Sequence, residues 1–133
     1  MSQTASGVAR KVRPKYLNLL EIRQPIPAWA SIMHRVSGAA LFFPFAAWLL
    51  FLLDLSLSSE QGFAHAREYL AHPAAKLGMI LLVWAFSHHL FAGIRFLLLD
   101  LHKGIEKPTA RLTAGLAIAA GIVVTVIFGA RIW

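Results

Sequence analysis

Three long stretches of the chain carry no formally charged residue, and each is bounded by charge at both ends. They cover residues 36–53, between Arg35 and Asp54, residues 77–94, between Lys76 and Arg95, and residues 112–130, between Arg111 and Arg131. Each is close to the ~20 residues that cross a hydrocarbon core as a helix. None alternates apolar and polar positions with period two, which argues against a membrane barrel. The pattern predicts three transmembrane helices. The second can continue through Phe96 to Asp100, with Arg95 near the interface or facing protein.

Between the spans the polar residues mark connections. Ser56, Ser58, Ser59, Glu60, Gln61 and Gly62 follow the first span, and Pro73 is a natural first residue for the second helix. Residues 62–71 suit a short interfacial helix. The turn at residues 102–108 contains Gly104 and Pro108. Upstream of the first span, residues 13–27 are too polar to cross, and Pro25 and Pro27 interrupt a helix through them. That stretch is expected to lie at the interface or dock on a partner. Residues 1–30 thus form an N-terminal segment, and residues 31–133 form the membrane unit. No secretory signal pattern precedes them: the basic residues Arg10, Lys11, Arg13, Lys15 and Arg23 interrupt the N-terminal region, and no apolar core ends in a small-residue cleavage site. Trp29, Trp48 and Trp133 fit an aromatic belt.

Composition supports the assignment. Hydrophobic residues make up 58% of the chain and charged residues 14%, with a mean hydropathy of +0.64. A soluble domain carries about 25% charged residues. In so apolar a chain the net charge of +7 reports membrane orientation rather than nucleic-acid binding. Arg10, Lys11, Arg13, Lys15, Arg23 and Arg35 precede the first span, and Arg95, Lys103, Lys107 and Arg111 surround the second loop. The opposite side holds only Arg67, Lys76 and Arg131. The positive-inside rule therefore expects the N-terminus inside and the C-terminus outside. The absence of cysteine excludes disulfides, thiolate zinc sites and cysteine-ligated iron–sulfur clusters within this chain.

Ionisable residues inside a span are functional candidates, and His88 and His89 are the two well inside one. A histidine at that depth can ligate haem iron, carry a proton or hydrogen-bond a neighbouring helix. His89, Gly93, Phe96 and Asp100 share a helical face, whereas His88 stands about 100° away, toward Ala92 and Arg95. Gly93 beside His89 leaves room for a flat macrocycle, or for close helix packing. His88 suits packing or hydrogen bonding better than a second bond to the same iron. On the first helix Ser31, His34 and Arg35 share a face that presents a hydroxyl, an imidazole and a guanidinium. That face can hydrogen-bond a quinone carbonyl or pair with haem propionates, or anchor the helix to lipid phosphate through Arg35.

The ordered residues Ile22-Arg-Gln-Pro-Ile-Pro-Ala, Ser31-Ile-Met-His-Arg-Val-Ser-Gly and His89-Leu-Phe-Ala-Gly-Ile-Arg-Phe-Leu-Leu-Leu-Asp resemble the succinate dehydrogenase cytochrome b membrane-anchor subunit. The resemblance runs from Arg13 into the third span. It implies an all-α integral membrane subunit that bundles with a second three-helix anchor and shares one haem b with it. His89 matches the axial-ligand position, and the partner anchor supplies the other ligand. Ser31 and Arg35 match positions at the ubiquinone site, and His34 and Arg35 match positions near the haem propionates. Gly93 and Arg95 would belong to the haem surroundings. FAD and iron–sulfur clusters would reside in a flavoprotein and an iron–sulfur subunit. Phe96 departs from the family, many members of which carry histidine there.

The resemblance therefore implies electron transfer from succinate to quinone, and the absence of a transit-peptide pattern favours a bacterial inner membrane over a mitochondrial one. A fumarate reductase anchor or a purely structural membrane anchor are the rival readings. A proton-coupled transporter is disfavoured because Asp54 and Asp100 both sit at span edges.

Overall fold

The computed structural model describes residues 22–133. The described chain is helical throughout. It comprises α1 (Ile26–Ala40), a single π turn (Leu41–Phe45), α2 (Ala46–Ser58), α3 (Glu60–Ala71), α4 (Pro73–Asp100) and α5 (Lys107–Ile132). The first helix, its π turn and α2 run on as one segment of 33 residues, and with α4 (28 residues) and α5 (26 residues) they are long and apolar enough to cross a membrane. The shortest is about 39 Å long at 1.5 Å per residue. That exceeds the ~30 Å hydrocarbon core, so the ends reach the headgroup layer. The chain is an integral membrane protein with three spanning helices.

Helix ends follow local chemistry. Pro27, Pro73 and Pro108 each occupy the first turn of a helix, where a missing N–H costs nothing. Ser59 caps α3 by accepting from the Gly62 N–H at 2.9 Å, and the His72 ring caps α4 by accepting from the Ala74 N–H at 3.2 Å. At the other end of α4 the chain reverses through His102, whose φ is 58°. The Lys103 N–H reaches the Leu98 carbonyl and the His102 N–H the Leu99 carbonyl, both at 2.9 Å. This is a Schellman closure with histidine at the usual glycine position. Gly104, with φ 75°, completes the turn into α5.

Two features differ from the sequence expectation. The first helix begins at Ile26, so residues 26–30, the end of the expected N-terminal segment, are helical. Pro25 and Pro27 mark its start instead of forbidding it. Pro44 also lies inside the first span. Proline removes an N–H and crowds the carbonyl four residues earlier, and the π turn accommodates it without ending the helix. Of the expected N-terminal segment, residues 1–21 lie outside the described residues. The short helix expected over residues 62–71 is α3, which starts two residues earlier at Glu60.

The three spans pack chiefly as α4 on α5 and α1 on α4, with α1 also touching α5, while α3 folds back against α2. Their shared interior is made of small residues: Ala30, Ser37, Ala85, Ser87, Ala92, Ala114, Ala117 and Gly121 are all buried. A Cβ on Gly121 would lie 3.1 Å from the Cα of His88, so α4 and α5 meet almost backbone to backbone at that point. Small residues permit this approach where lipid supplies no hydrophobic drive. The large side chains, including Phe42, Phe43, Leu50, Phe86 and Leu97, point outward, as they do in a protein whose solvent is hydrocarbon or a neighbouring subunit.

Candidate functional site

The crossing of α1 over α4 brings His34 onto His89. Their rings stack with centroids 4.1 Å apart and planes 10° from parallel. The His89 Nδ1 lies 3.1 Å from the His34 carbonyl oxygen and 3.4 Å from the Ser37 Oγ. Ser37 donates its own hydroxyl hydrogen to that same carbonyl at 3.0 Å. Both atoms facing Nδ1 are thus acceptors, so Nδ1 carries the proton. In the neutral ring this leaves the lone pair on Nε2. The His89 Nε2 makes no hydrogen bond among the described residues. A metal-ligating histidine is held in this way, with its other ring nitrogen donating to a carbonyl.

Space for the ring comes from Gly38. A Cβ there would stand 2.7 Å from His89 Cε1 and 3.1 Å from Nδ1, so no other residue fits beside the imidazole as placed. Gly93, which the helical face puts next to His89, looks instead at His34, with its Cβ position 3.5 Å from the His34 Nε2. Phe96 also packs against His34, with centroids 5.1 Å apart and planes inclined at 56°. His34, His89 and Phe96 therefore form one aromatic cluster on the α1–α4 seam, and Gly38 and Gly93 keep it uncrowded.

His88 points the other way. It is fully buried, backed by Gly121 of α5 and stacked on Trp84 at 5.8 Å, and neither ring nitrogen has a hydrogen-bond partner among the described residues. His88 is thus enclosed within its own chain, whereas His89 is only half-buried.

Ser31 is half-buried and Arg35 exposed, one turn apart on α1, and neither side chain hydrogen-bonds within the described residues. They remain available to groups from outside the chain. Arg95 is buried and turned toward α5. It donates through Nε to Thr113 Oγ1 and through a terminal nitrogen to the Ala110 carbonyl, each at 3.2 Å. Its guanidinium also lies 5.4 Å from the centre of the Phe96 ring, so it borders the histidine cluster through Phe96 rather than by touching His89. No cluster of three or more histidine or carboxylate side chains able to hold a metal ion alone occurs among the described residues. Ser37, Gly38 and Thr113 went unassigned in the sequence reading. Ser37 and Gly38 lie in the very motif that signalled the site, but their bearing on His89 depends on a helix crossing that no spacing encodes.

Residues 9–128 match the model of the succinate dehydrogenase/fumarate reductase transmembrane subunit family. The succinate dehydrogenase cytochrome b556 subunit of Coxiella burnetii is 34% identical over 122 residues, which is 91% of this chain and 97% of that protein. Its counterpart in Paracoccus denitrificans is 32% identical over 125 residues, covering 92% and 93% of the two chains. That of Rickettsia felis is 28% identical over 129 residues, covering 96% and 98%. With three spanning helices and similarity over nearly the whole chain to these subunits, the chain belongs to the succinate dehydrogenase/fumarate reductase transmembrane subunit family.

Proposed function

We propose that this chain is the cytochrome b membrane anchor of a succinate:ubiquinone oxidoreductase. It would hold haem b together with a second three-helix anchor and contribute to the site where quinone is reduced. The observation that carries the reading is the state of His89. Its Nδ1 is committed to the His34 carbonyl and Ser37, so Nε2 is the nitrogen left to meet iron. The other histidine of the seam, His34, lies flat against the His89 ring, so His89 would be this chain's ligand and the companion anchor would provide the second. The haem, when bound, supplies a one-electron redox centre inside the membrane.

This chain's residues do the positioning. Gly38 and Gly93 keep side chains away from the histidine cluster. His34 and Arg35 would pair with the propionates by charge-assisted hydrogen bonds, with Arg95 behind Phe96 as part of the surroundings. At the quinone site the Ser31 hydroxyl would donate to a carbonyl oxygen. Arg35 would stabilise negative charge developing on that oxygen during reduction, an effect that grows where water is excluded. Protons would arrive from the aqueous side that the positive-inside rule assigns to the N-terminus. FAD and the iron–sulfur clusters would belong to the flavoprotein and iron–sulfur partners, which deliver electrons from succinate. The cytochrome b556 relatives are bacterial, and the bacterial inner membrane is the matching location.

The relatives' names favour succinate oxidation over fumarate reduction. The test is purification of the native complex by a tag on this chain. A flavoprotein, an iron–sulfur protein, a second small anchor and a b-type absorbance are expected. Co-purification without that absorbance, or a b-type band that survives loss of His89, overturns the haem reading.

A further inference from the structure

At the Asp100–Lys107 end of the molecule a cavity of about 270 Å³ opens between α4 and α5, lined by Arg95, Leu98, Leu99, Lys103, Gly104 and Thr113. It holds two cations and no carboxylate. Arg95 is only 6% exposed, and its two hydrogen bonds go to neutral oxygens of Thr113 and Ala110. No acidic side chain among the described residues pairs with it. A guanidinium has five N–H donors, and a cation buried at membrane depth calls for an anion.

A second cavity of about 260 Å³ shares Arg95, Leu98 and Thr113 with the first and continues along Phe91, Leu116, Ala117 and Ala120. From Leu98 to Phe91 it descends about 10 Å along α4. Its lining beyond Arg95 and Thr113 is wholly apolar. Water occupies ~30 Å³ per molecule and needs polar partners, so this lower half suits hydrocarbon. A charged mouth at the interface above an apolar slot toward the bilayer centre is the outline of a lipid. The groove also lies on the far side of α4 from the haem seam: Phe91 and Leu98 stand about 160° and 180° around the helix from His89. A second anchor seated over His89 would leave it facing the bilayer.

We propose that this groove binds one anionic phospholipid, its phosphate among Arg95, Lys103 and Thr113 and one acyl chain along Phe91, Leu98 and Ala117. That the groove faces the bilayer rests on the proposed anchor pairing over His89, whereas its lining is read from α4 and α5 alone. The Schellman closure of α4 ties the Lys103 backbone to Leu98, and Lys103 joins the groove lining there. Two cations without a compensating acid select an anionic headgroup over a zwitterionic one.

The experiment uses the intact, detergent-purified complex, delipidated and titrated with phosphatidylglycerol or phosphatidylcholine, with native mass spectrometry and thermal unfolding as readouts. Phosphatidylglycerol should be retained and should raise the unfolding temperature, while phosphatidylcholine should do neither. Lys103→Gln, at an exposed turn position, should weaken retention about fivefold. Ala120→Leu, which fills the slot without touching charge, should also weaken it. Equal binding of both lipids, or wild-type retention by both variants, overturns the proposal. So does full displacement by inorganic phosphate, which would mark a site for a free anion. A partner subunit's carboxylate cross-linked to Lys103 at this mouth would overturn it as well.

Discussion

Substitution of Gly38 by alanine puts the seating of His89 to its most direct test. The new Cβ would stand 2.7 Å from Cε1 and 3.1 Å from Nδ1 of the imidazole. Ordinary contact begins near 3.4 Å, so the ring edge must retreat by about 0.7 Å. It cannot retreat freely, because His34 is stacked on its face at 4.1 Å and Nδ1 is held 3.1 Å from the His34 carbonyl. Moving the ring that far takes the bond past the ~3.5 Å at which it ceases to count. The net loss is about 1 kcal/mol for the hydrogen bond, with overpacking adding ~1–2 kcal/mol. Together these weaken haem retention by roughly 30- to 150-fold at ~1.4 kcal/mol per decade. The assay is the reduced-minus-oxidised b-band per flavin in purified complex, with the haem midpoint potential read by redox titration. Gly115→Ala is the control. Nothing lies within 4 Å of its Cβ position, so occupancy should stay within about twofold of wild type. A Gly38→Ala complex that keeps full haem at an unchanged potential would refute the seating of His89 described above.

His89→Leu should abolish the b-type band. His88→Leu should retain it, because removing a buried ring whose nitrogens have no partner is near neutral when the replacement is apolar and of similar size; the reverse outcome would transfer the ligand role to His88. Ser31→Ala and Arg35→Ala should lower succinate–quinone turnover by about tenfold or more while succinate oxidation by a soluble artificial acceptor holds steady, and equal loss of both activities would point to failed assembly. Gly121→Val should reduce the amount of assembled complex in membranes, since its Cβ must enter a gap of 3.1 Å to the His88 backbone at a cost of about 1–3 kcal/mol. Normal yield and an unchanged unfolding temperature would show that α4 and α5 can part there.

How far the sequence foretells this molecule depends on which physical rule governs each feature. The spans were legible because charge is expensive in hydrocarbon, so Arg35, Asp54, Lys76, Arg95, Arg111 and Arg131 bound them. The same rule misjudges helix ends. Charge marks where hydrocarbon stops, whereas hydrogen-bonded helix runs on into the headgroup layer, which is why α1 starts at Ile26, while the run of α4 past Arg95 to Asp100 is as expected. The divergence of His88 and His89 was legible from 3.6 residues per turn alone. What each histidine faces was not. The crossing of α1 over α4 sets His89 against Gly38, and the contact of α4 with α5 sets His88 against Gly121. Those crossings arise from small residues on separate helices, and no spacing within one helix encodes them.

Arg95 shows the consequence most clearly. The family resemblance puts it in the haem surroundings, and its hydrogen bonds lead to Thr113 and Ala110 on the third span. A guanidinium on α4 must take its acceptors from whichever helix is nearest, and α5 approaches closely because Ala114, Ala117 and Gly121 let it. The alanines and glycines that close α4 onto α5 thus decide which way the one buried cation among the described residues turns. They also separate the anion-seeking face of the second span from the face that presents His89.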